Sequence, residues 1–262
     1  MNLDLSGKRA VVCGSTQGIG LASAIELSQL GANICLVARN KEKLELALSQ
    51  LDVSNGQKHD LVVVDFSNPS DVENAAKTYL DKVKQVDILV NNTGGPKGGL
   101  AIDAPVEEFL AAFNMHLVCN HHLVRVFSES MKANGYGRVV NIISTSVKIP
   151  LKGLGVSNTI RGAVASWSKT LANELGAFNI TVNNVLPGAT NTVRLKSIIE
   201  NKAAKTGDSI ENVSKSMVSA IPMGRFAEAE EIANTVAFLC SPAASYINGV
   251  NIPVDGGRTG SM

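Results

Sequence analysis

Cysteine is scarce and scattered in this chain. Cys13, Cys35, Cys119 and Cys240 are the four among 262 residues, and no two form a C-x-x-C pair. That spacing excludes the common zinc and dithiol motifs, and Cys13 and Cys35 lie inside apolar runs, so packing is their expected role. An excess of one charge is lacking too: 24 Lys and Arg stand against 23 Asp and Glu, a net charge of +1. General nucleic-acid binding needs a concentrated basic surface, and none is expected here. No apolar run approaches the roughly 20 residues of a membrane helix. The opening Met1-Asn2-Leu3-Asp4-Leu5-Ser6-Gly7 has neither the basic leader nor the long apolar stretch of a secretion signal. Internal repeats, low-complexity tracts and linkers are also missing. The expectation is a cytoplasmic single domain over residues 1–262 with no nucleic-acid or membrane partner.

What is present is the composition of an ordinary globular protein, 45% apolar and 18% charged, with length enough for a large core. Short apolar runs predict strands at 10–13, 33–38, 61–65, 87–91, 138–143, 180–185 and 250–254. Longer amphipathic stretches between them predict helices at 19–30, 41–51, 70–84, 106–132, 160–176 and 229–239. The strands are β-branched and almost continuously apolar, as when helices cover both faces of a sheet. Such alternation predicts an α/β fold, a doubly wound, Rossmann-like parallel sheet of about seven strands in a three-layer sandwich. Residues 188–225 break the rhythm: no strand, but polar helical patterns at 194–200 and 210–219. An insertion of that length is expected to be a substrate loop or lid. Its lysines and Arg194 read as a solvated helix face, or as a surface for an acidic substrate carrier.

Between the first strand and the first helix lies Gly14-Ser15-Thr16-Gln17-Gly18-Ile19-Gly20. A glycine turn at that junction lets backbone approach a diphosphate and aims free N–H groups and the helix dipole at it. Its G-x-x-x-G-x-G spacing differs from G-x-G-x-x-G and from the G-x-x-x-x-G-K of triphosphatases. A nicotinamide-dinucleotide pocket is the expectation.

Further landmarks follow in order. Asp65, with Phe66 after it, ends the third strand; Asn91-Asn92-Thr93-Gly94 ends the fourth; Pro187-Gly188-Ala189-Thr190-Asn191-Thr192 follows the sixth. Pro222-Met223-Gly224-Arg225, Tyr246-Ile247-Asn248-Gly249 and Val254-Asp255-Gly256-Gly257 lie near the C-terminus. Over essentially the whole chain this series resembles the short-chain dehydrogenase/reductase family, and within it the β-ketoacyl carrier-protein reductases. The resemblance implies that Asp65 and Phe66 lie beside the adenine, that Asn92, Thr93 and Gly94 line the cofactor, and that Pro187, Gly188, Thr190 and Thr192 grip the nicotinamide carboxamide and diphosphate. It also implies a small carbonyl, alcohol or acyl-thioester substrate and a homo-oligomer that pairs its long helices. At the end of the second strand an acid would select NAD. Here Ala38 is followed by Arg39, whose guanidinium suits a 2′-phosphate, so NADP(H) is expected over NAD(H), although Gln17 replaces the basic residue some NADP users carry.

One part of the family pattern fails. The family places a serine after the fifth strand, a tyrosine thirteen positions on and a lysine four later; the tyrosine transfers the proton and the lysine lowers its pKa. Ser144 fills the serine position, but counting on gives Ser157 for tyrosine and Arg161 for lysine. The three tyrosines, Tyr79, Tyr136 and Tyr246, are each followed four residues later by valine, so no Y-x-x-x-K exists. The family's asparagine on the helix after the fourth strand aligns with His116. Ser157 and Arg161, at i and i+4, should share a helix face. Three readings stay open: a reductase in which Ser144 orients a carbonyl and His116 or water delivers the proton, a cofactor-binding sensor, and a structural partner of an intact relative. A metal site is not expected, since adjacent His121 and His122 cannot share a face.

Overall fold

The computed structural model describes residues 1–261. Its strands are β1 (Arg9–Cys13), β2 (Asn33–Ala38), β3 (Asp60–Val63), β4 (Ile88–Asn91), β5 (Gly137–Ile142), β6 (Ile180–Pro187) and β7 (Asn251–Val254). All pair in parallel, in the order β3-β2-β1-β4-β5-β6-β7. The helices are α1 (Gly18–Gln29), α2 (Lys41–Leu48), α3 (Pro69–Val83), α4 (Val106–Phe113), α5 (Cys119–Asn134), α6 (Gly155–Leu175), α7 (Val193–Thr206), α8 (Ile210–Val218) and α9 (Ala229–Cys240). The fold is the doubly wound α/β sandwich that the alternation predicts.

Strand side chains alternate faces, and β1 shows why its run is continuously apolar. Ala10 and Val12 enter one core with α1, α2 and α9, while Val11 and Cys13 enter the other with α3, α5 and α6. All four cysteines are buried and unpaired. Burial holds the thiols above their ordinary range, Cys35 and Cys240 at about 12, so they pack as small apolar groups. Among the described residues no helix is long and apolar enough to cross a membrane.

The sheet also carries a polar ladder. Asn91, Asn141, Asn184 and Asn251 occupy one row across β4, β5, β6 and β7. Asn91 Nδ2 donates to Asn141 Oδ1 (2.8 Å), Asn141 Nδ2 to Asn184 Oδ1 (3.1 Å), and Asn184 Nδ2 to Asn251 Oδ1 (2.8 Å). A slip of one strand by a residue would strand these buried amides without partners, so the ladder fixes register.

Several boundaries depart from the sequence expectation: β3 ends at Val63, so Asp65 lies just past the strand rather than ending it, and α2 ends at Leu48 rather than 51. Helix α6 starts at Gly155, not 160. A Cβ at Gly155 would lie 2.6 Å from Ala101 Cα, so the glycine that reads as a breaker is what lets the helix start against that backbone. The expected helix 106–132 is α4 and α5 joined by a π-turn, Asn114–Val118, which re-aims one residue inward. Helix α7 runs on to Thr206, with Thr192 accepting a hydrogen bond from Leu195 N at its start.

Candidate active site

Ligands of such sheets bind beyond the carboxyl strand ends, where strand order reverses; here that point lies between β1 and β4. The turn after β1 is tied down on both sides. Gly14 N donates to Val37 O (2.8 Å), and Ser15 Oγ accepts from Val37 N (3.0 Å). Asn92 Nδ2 reaches Cys13 O and Gly14 O, each at 3.3 Å. Gly14 and Gly18 have φ of +59° and +56°. A Cβ on Gly14 would collide with the Asn92 carbonyl oxygen, and one on Gly20 would lie 2.7 Å from Asn92 Nδ2. Only glycine permits this closeness. Helix α1 starts at Gly18 with no side-chain cap, so its first N–H groups face outward with the dipole's positive end. Thr16, exposed Gln17 and Ile19 complete the turn. Thr192 packs over it, its Cγ2 in reach of a Cβ on Gly18 at 3.2 Å.

Past β2, Arg39 and Asp65 flank a cavity of about 690 Å³ that Asn40, Val63, Asp71 and Asn74 also line. Arg39 Nη1 stands 3.9 Å from Asp65 Oδ2, with the arginine side chain 80% exposed. Such a surface pair is worth little and is readily exchanged for a better anion. The Ser67 N–H is the main cause holding Asp65 below the usual carboxylate range. Phe66 departs from expectation: its ring is packed in the core with Val64 and Val72, and only its backbone remains for a ligand.

The strand ends β4, β5 and β6 supply the other wall. Thr93 Oγ1 lies 2.6 Å from His116 Nδ1. His116 comes from the π-turn and is 1% exposed, with Nε2 unpartnered. Burial, then the charges of Arg161 and Arg194, press its pKa down to about 2. Burial therefore favours the neutral imidazole, which argues against His116 as the proton donor of the reductase reading. Ser144 Oγ accepts from Ser146 N at 3.1 Å at the mouth of β5. Ser157 and Arg161 lie in the first two turns of α6. Arg161 is buried, donates from Nη1 to Ile142 O (3.1 Å), and is pulled to about 10 chiefly by burial, so it remains charged at neutral pH. Pro187 ends β6; Gly188 N bonds Val254 O (2.9 Å) and Thr190 Oγ1 bonds Gly188 O (3.2 Å), shaping the loop that carries Thr192.

No phenol substitutes from elsewhere. Tyr79 stands 3.2 Å from Arg9 at the start of β1, Tyr136 precedes β5 and donates to Cys240 O (2.6 Å), and Tyr246 is fully exposed ahead of β7. All three sit toward the amino ends of the strands. His121 packs edge-on to Trp167, and His122 lies 3.1 Å from Glu73. No group of possible metal ligands occurs among the described residues.

Arg194 is exposed, as a solvated helix face implies, but from the start of α7 it also reaches the 94–99 segment, Nη2 donating to Pro96 O at 2.6 Å. Gly95 makes room, since a Cβ there would be 3.1 Å from that nitrogen. The available signals were its place two residues after Thr192 and the glycine-rich 94–99 segment.

A family model described as enoyl-(acyl carrier protein) reductase matches residues 14–259. A tropinone reductase homolog of Arabidopsis thaliana is 33% identical over 259 residues, covering 97% of this chain and 93% of that protein. A 3-oxoacyl-acyl-carrier-protein reductase of Haemophilus influenzae is 32% identical over 253 residues, covering 97% and 98%. L-sorbose reductase from Gluconobacter frateurii, solved with NADPH and L-sorbose, superposes with a TM-score of 0.93 at 32% identity over the whole of both chains. With the glycine turn, the strand-end landmarks and the sheet order in place, the chain belongs to the short-chain dehydrogenase/reductase family, oxidoreductases of CH–OH and C=O groups.

Proposed function

We propose that this protein is an NADP(H)-dependent reductase of a small carbonyl compound, working without the family's phenolic acid. The observation that carries the reading is the glycine turn, packed so closely on Asn92 that Gly14 and Gly20 admit no side chain, with the start of α1 left free of any side-chain cap. The free N–H groups of the turn beyond Gly14, whose own N–H is bonded to Val37 O, would hold the diphosphate, Asp65 and the Phe66 backbone would meet the adenine, and Arg39 would pair with the 2′-phosphate. Asn92, Thr93 and Gly94 line the cofactor, Thr190 and Thr192 hold the carboxamide side, and Arg161 holds the nicotinamide ribose. When bound, the cofactor supplies the hydride that reaches the carbonyl carbon.

The rest is done by the chain's own groups. Ser144 and Ser157 donate hydrogen bonds to the carbonyl oxygen, and the fixed charge of Arg161 stabilises the negative charge that grows there. A serine hydroxyl does not ionise usefully at neutral pH. It passes a proton to the oxygen while taking one from water, a slower route than a phenol of lowered pKa. Neutral His116 holds Thr93 in place rather than moving the proton. The 188–225 segment, whose α7 and α8 pack Leu195, Ile199 and Val213 together, closes over the substrate. A second copy covers the stripe of exposed Val106, Leu110 and Phe113 on α4, and the four buried thiols suit the cytoplasm.

The test is a fluorescence titration with NADPH and NADH followed by turnover on an aldehyde and ketone panel. NADPH binds more tightly, and Arg39→Ala narrows the difference by about tenfold or more. Equal affinity for both cofactors before and after the substitution would overturn the NADP assignment. Tight NADPH binding without turnover on any carbonyl would favour a sensor.

A further inference from the structure

We infer that Arg194 provides a carboxylate subsite, so that the carbonyl substrate of this cleft is an oxo acid. The inference rests on the reductase reading above and names its substrate class. Two guanidinium groups, the buried one of Arg161 and the exposed one of Arg194, lie close enough to repel each other. Arg161 comes from α6 beneath Ile142, and Arg194 comes from α7 over Pro96. Each bonds a main-chain carbonyl, and among the described residues neither lies within 4.0 Å of a carboxylate. Arg9, Arg39 and Arg225 do find one, in Asp60, Asp65 and Glu231, whereas Arg125, Arg138 and Arg258 do not. Two like charges this close without an acid raise each other's energy, and a bound anion removes that cost. Their fields both fall on His116, whose buried Nε2 still has no partner.

Arg161 already has work at the nicotinamide ribose, so Arg194 is the cation without a cofactor role. Its guanidinium offers a planar fork that matches a carboxylate. The rim it lies against is open, since a Cβ on Gly94 or Gly99 would meet nothing within 4 Å. A carboxylate held there, with the neighbouring carbonyl over Ser144 and Ser157, makes an oxo acid the fitting class. The reaction balances as hydride from NADPH plus one proton from water, giving a hydroxy acid, NADP and hydroxide.

The experiment loads wild-type protein with NADPH and offers pyruvate, acetoacetate and levulinate, each beside its methyl ester, reading melting temperature and kcat/KM. At least one acid is expected to stabilise the loaded protein more than its ester and to be preferred by about 10- to 100-fold, the range of a charge-assisted pair. Arg194→Leu abolishes that preference and leaves NADPH affinity unchanged, and Arg194→Lys keeps part of it. The proposal is overturned if acids and esters behave alike in both readouts, or if Arg194→Leu retains the preference. It is also overturned if that variant loses NADPH affinity, which would assign Arg194 to the cofactor. Failure of the wild type to bind NADPH would strike the reductase reading as well; bound NADPH with indifference to the carboxylate strikes this subsite alone.

Discussion

Replacing Gly14 by alanine adds one methyl group at the point where β1, β4 and the cofactor turn meet. The φ of +59° costs an L-residue about 1–2 kcal/mol. The new Cβ overlaps the Asn92 carbonyl oxygen and lies 3.0 Å from Asn92 Nδ2, so Asn92 must move. Its two 3.3 Å bonds to Cys13 and Gly14 are then lost, each worth about 0.5–1.5 kcal/mol. The expected loss is about 2–5 kcal/mol in stability. At about 2–4 °C per kcal/mol for a chain of this size, the melting temperature falls by roughly 4–20 °C. NADPH affinity falls with it, because the turn is displaced. Gly94→Ala is the matched control: its φ is not positive and its Cβ would meet nothing within 4 Å, so its effect stays within about 0.5 kcal/mol. Thermal unfolding followed by circular dichroism reads both. Equal melting temperatures for the two variants would refute the packing account of the turn.

Further expectations concern the ladder, the relay and the histidine. Asn141→Ala leaves the Asn91 and Asn184 amides short of partners in the sheet centre and should cost about 2–4 kcal/mol in urea denaturation; a loss near zero would remove the ladder from the stability account. Ser157→Tyr combined with Arg161→Lys should raise turnover at saturating NADPH on carbonyls the wild type reduces, and an unchanged or lower rate would contradict the assigned positions. Folded His116 stays neutral down to about pH 2, whereas in the unfolded chain it takes a proton near pH 6.5. The unfolded state therefore binds more protons between those values, and stability declines as pH falls below about 6.5, by about 1.4 kcal/mol per pH unit from this group. His116→Asn should show a shallower decline between about pH 7 and pH 5; identical slopes would show that the imidazole is not buried neutral.

Periodicity and punctuation made the architecture legible. The apolar runs 10–13, 33–38 and 180–185 fall inside or on observed strands, because both faces of a parallel sheet demand apolar residues. What escaped was set by tertiary contact. Gly155 opens a helix only because the Ala101 backbone lies against it. The π-turn at Asn114–Val118 leaves no mark on a pattern that counts every third or fourth residue. Four asparagines spread from 91 to 251 cannot be recognised as one row until the strands are aligned. At the site, the i, i+4 spacing of Ser157 and Arg161 placed both on one helix, α6, as observed. Spacing left His116 equally open to a packed helix position and a proton role, and the π-turn that buries it near two guanidinium groups decides between them only in three dimensions. Arg194 is exposed as helical polarity suggests, but that pattern cannot show its bond to Pro96 O, a residue 98 positions away.

Every role proposed above requires the strand ends to hold a reduced pyridine dinucleotide despite the missing phenol. Isothermal calorimetry of the purified chain with NADPH tests it most directly. The account predicts saturable binding of one NADPH per chain, stronger than that of NADH. Absence of measurable heat from either cofactor at millimolar concentrations would contradict it.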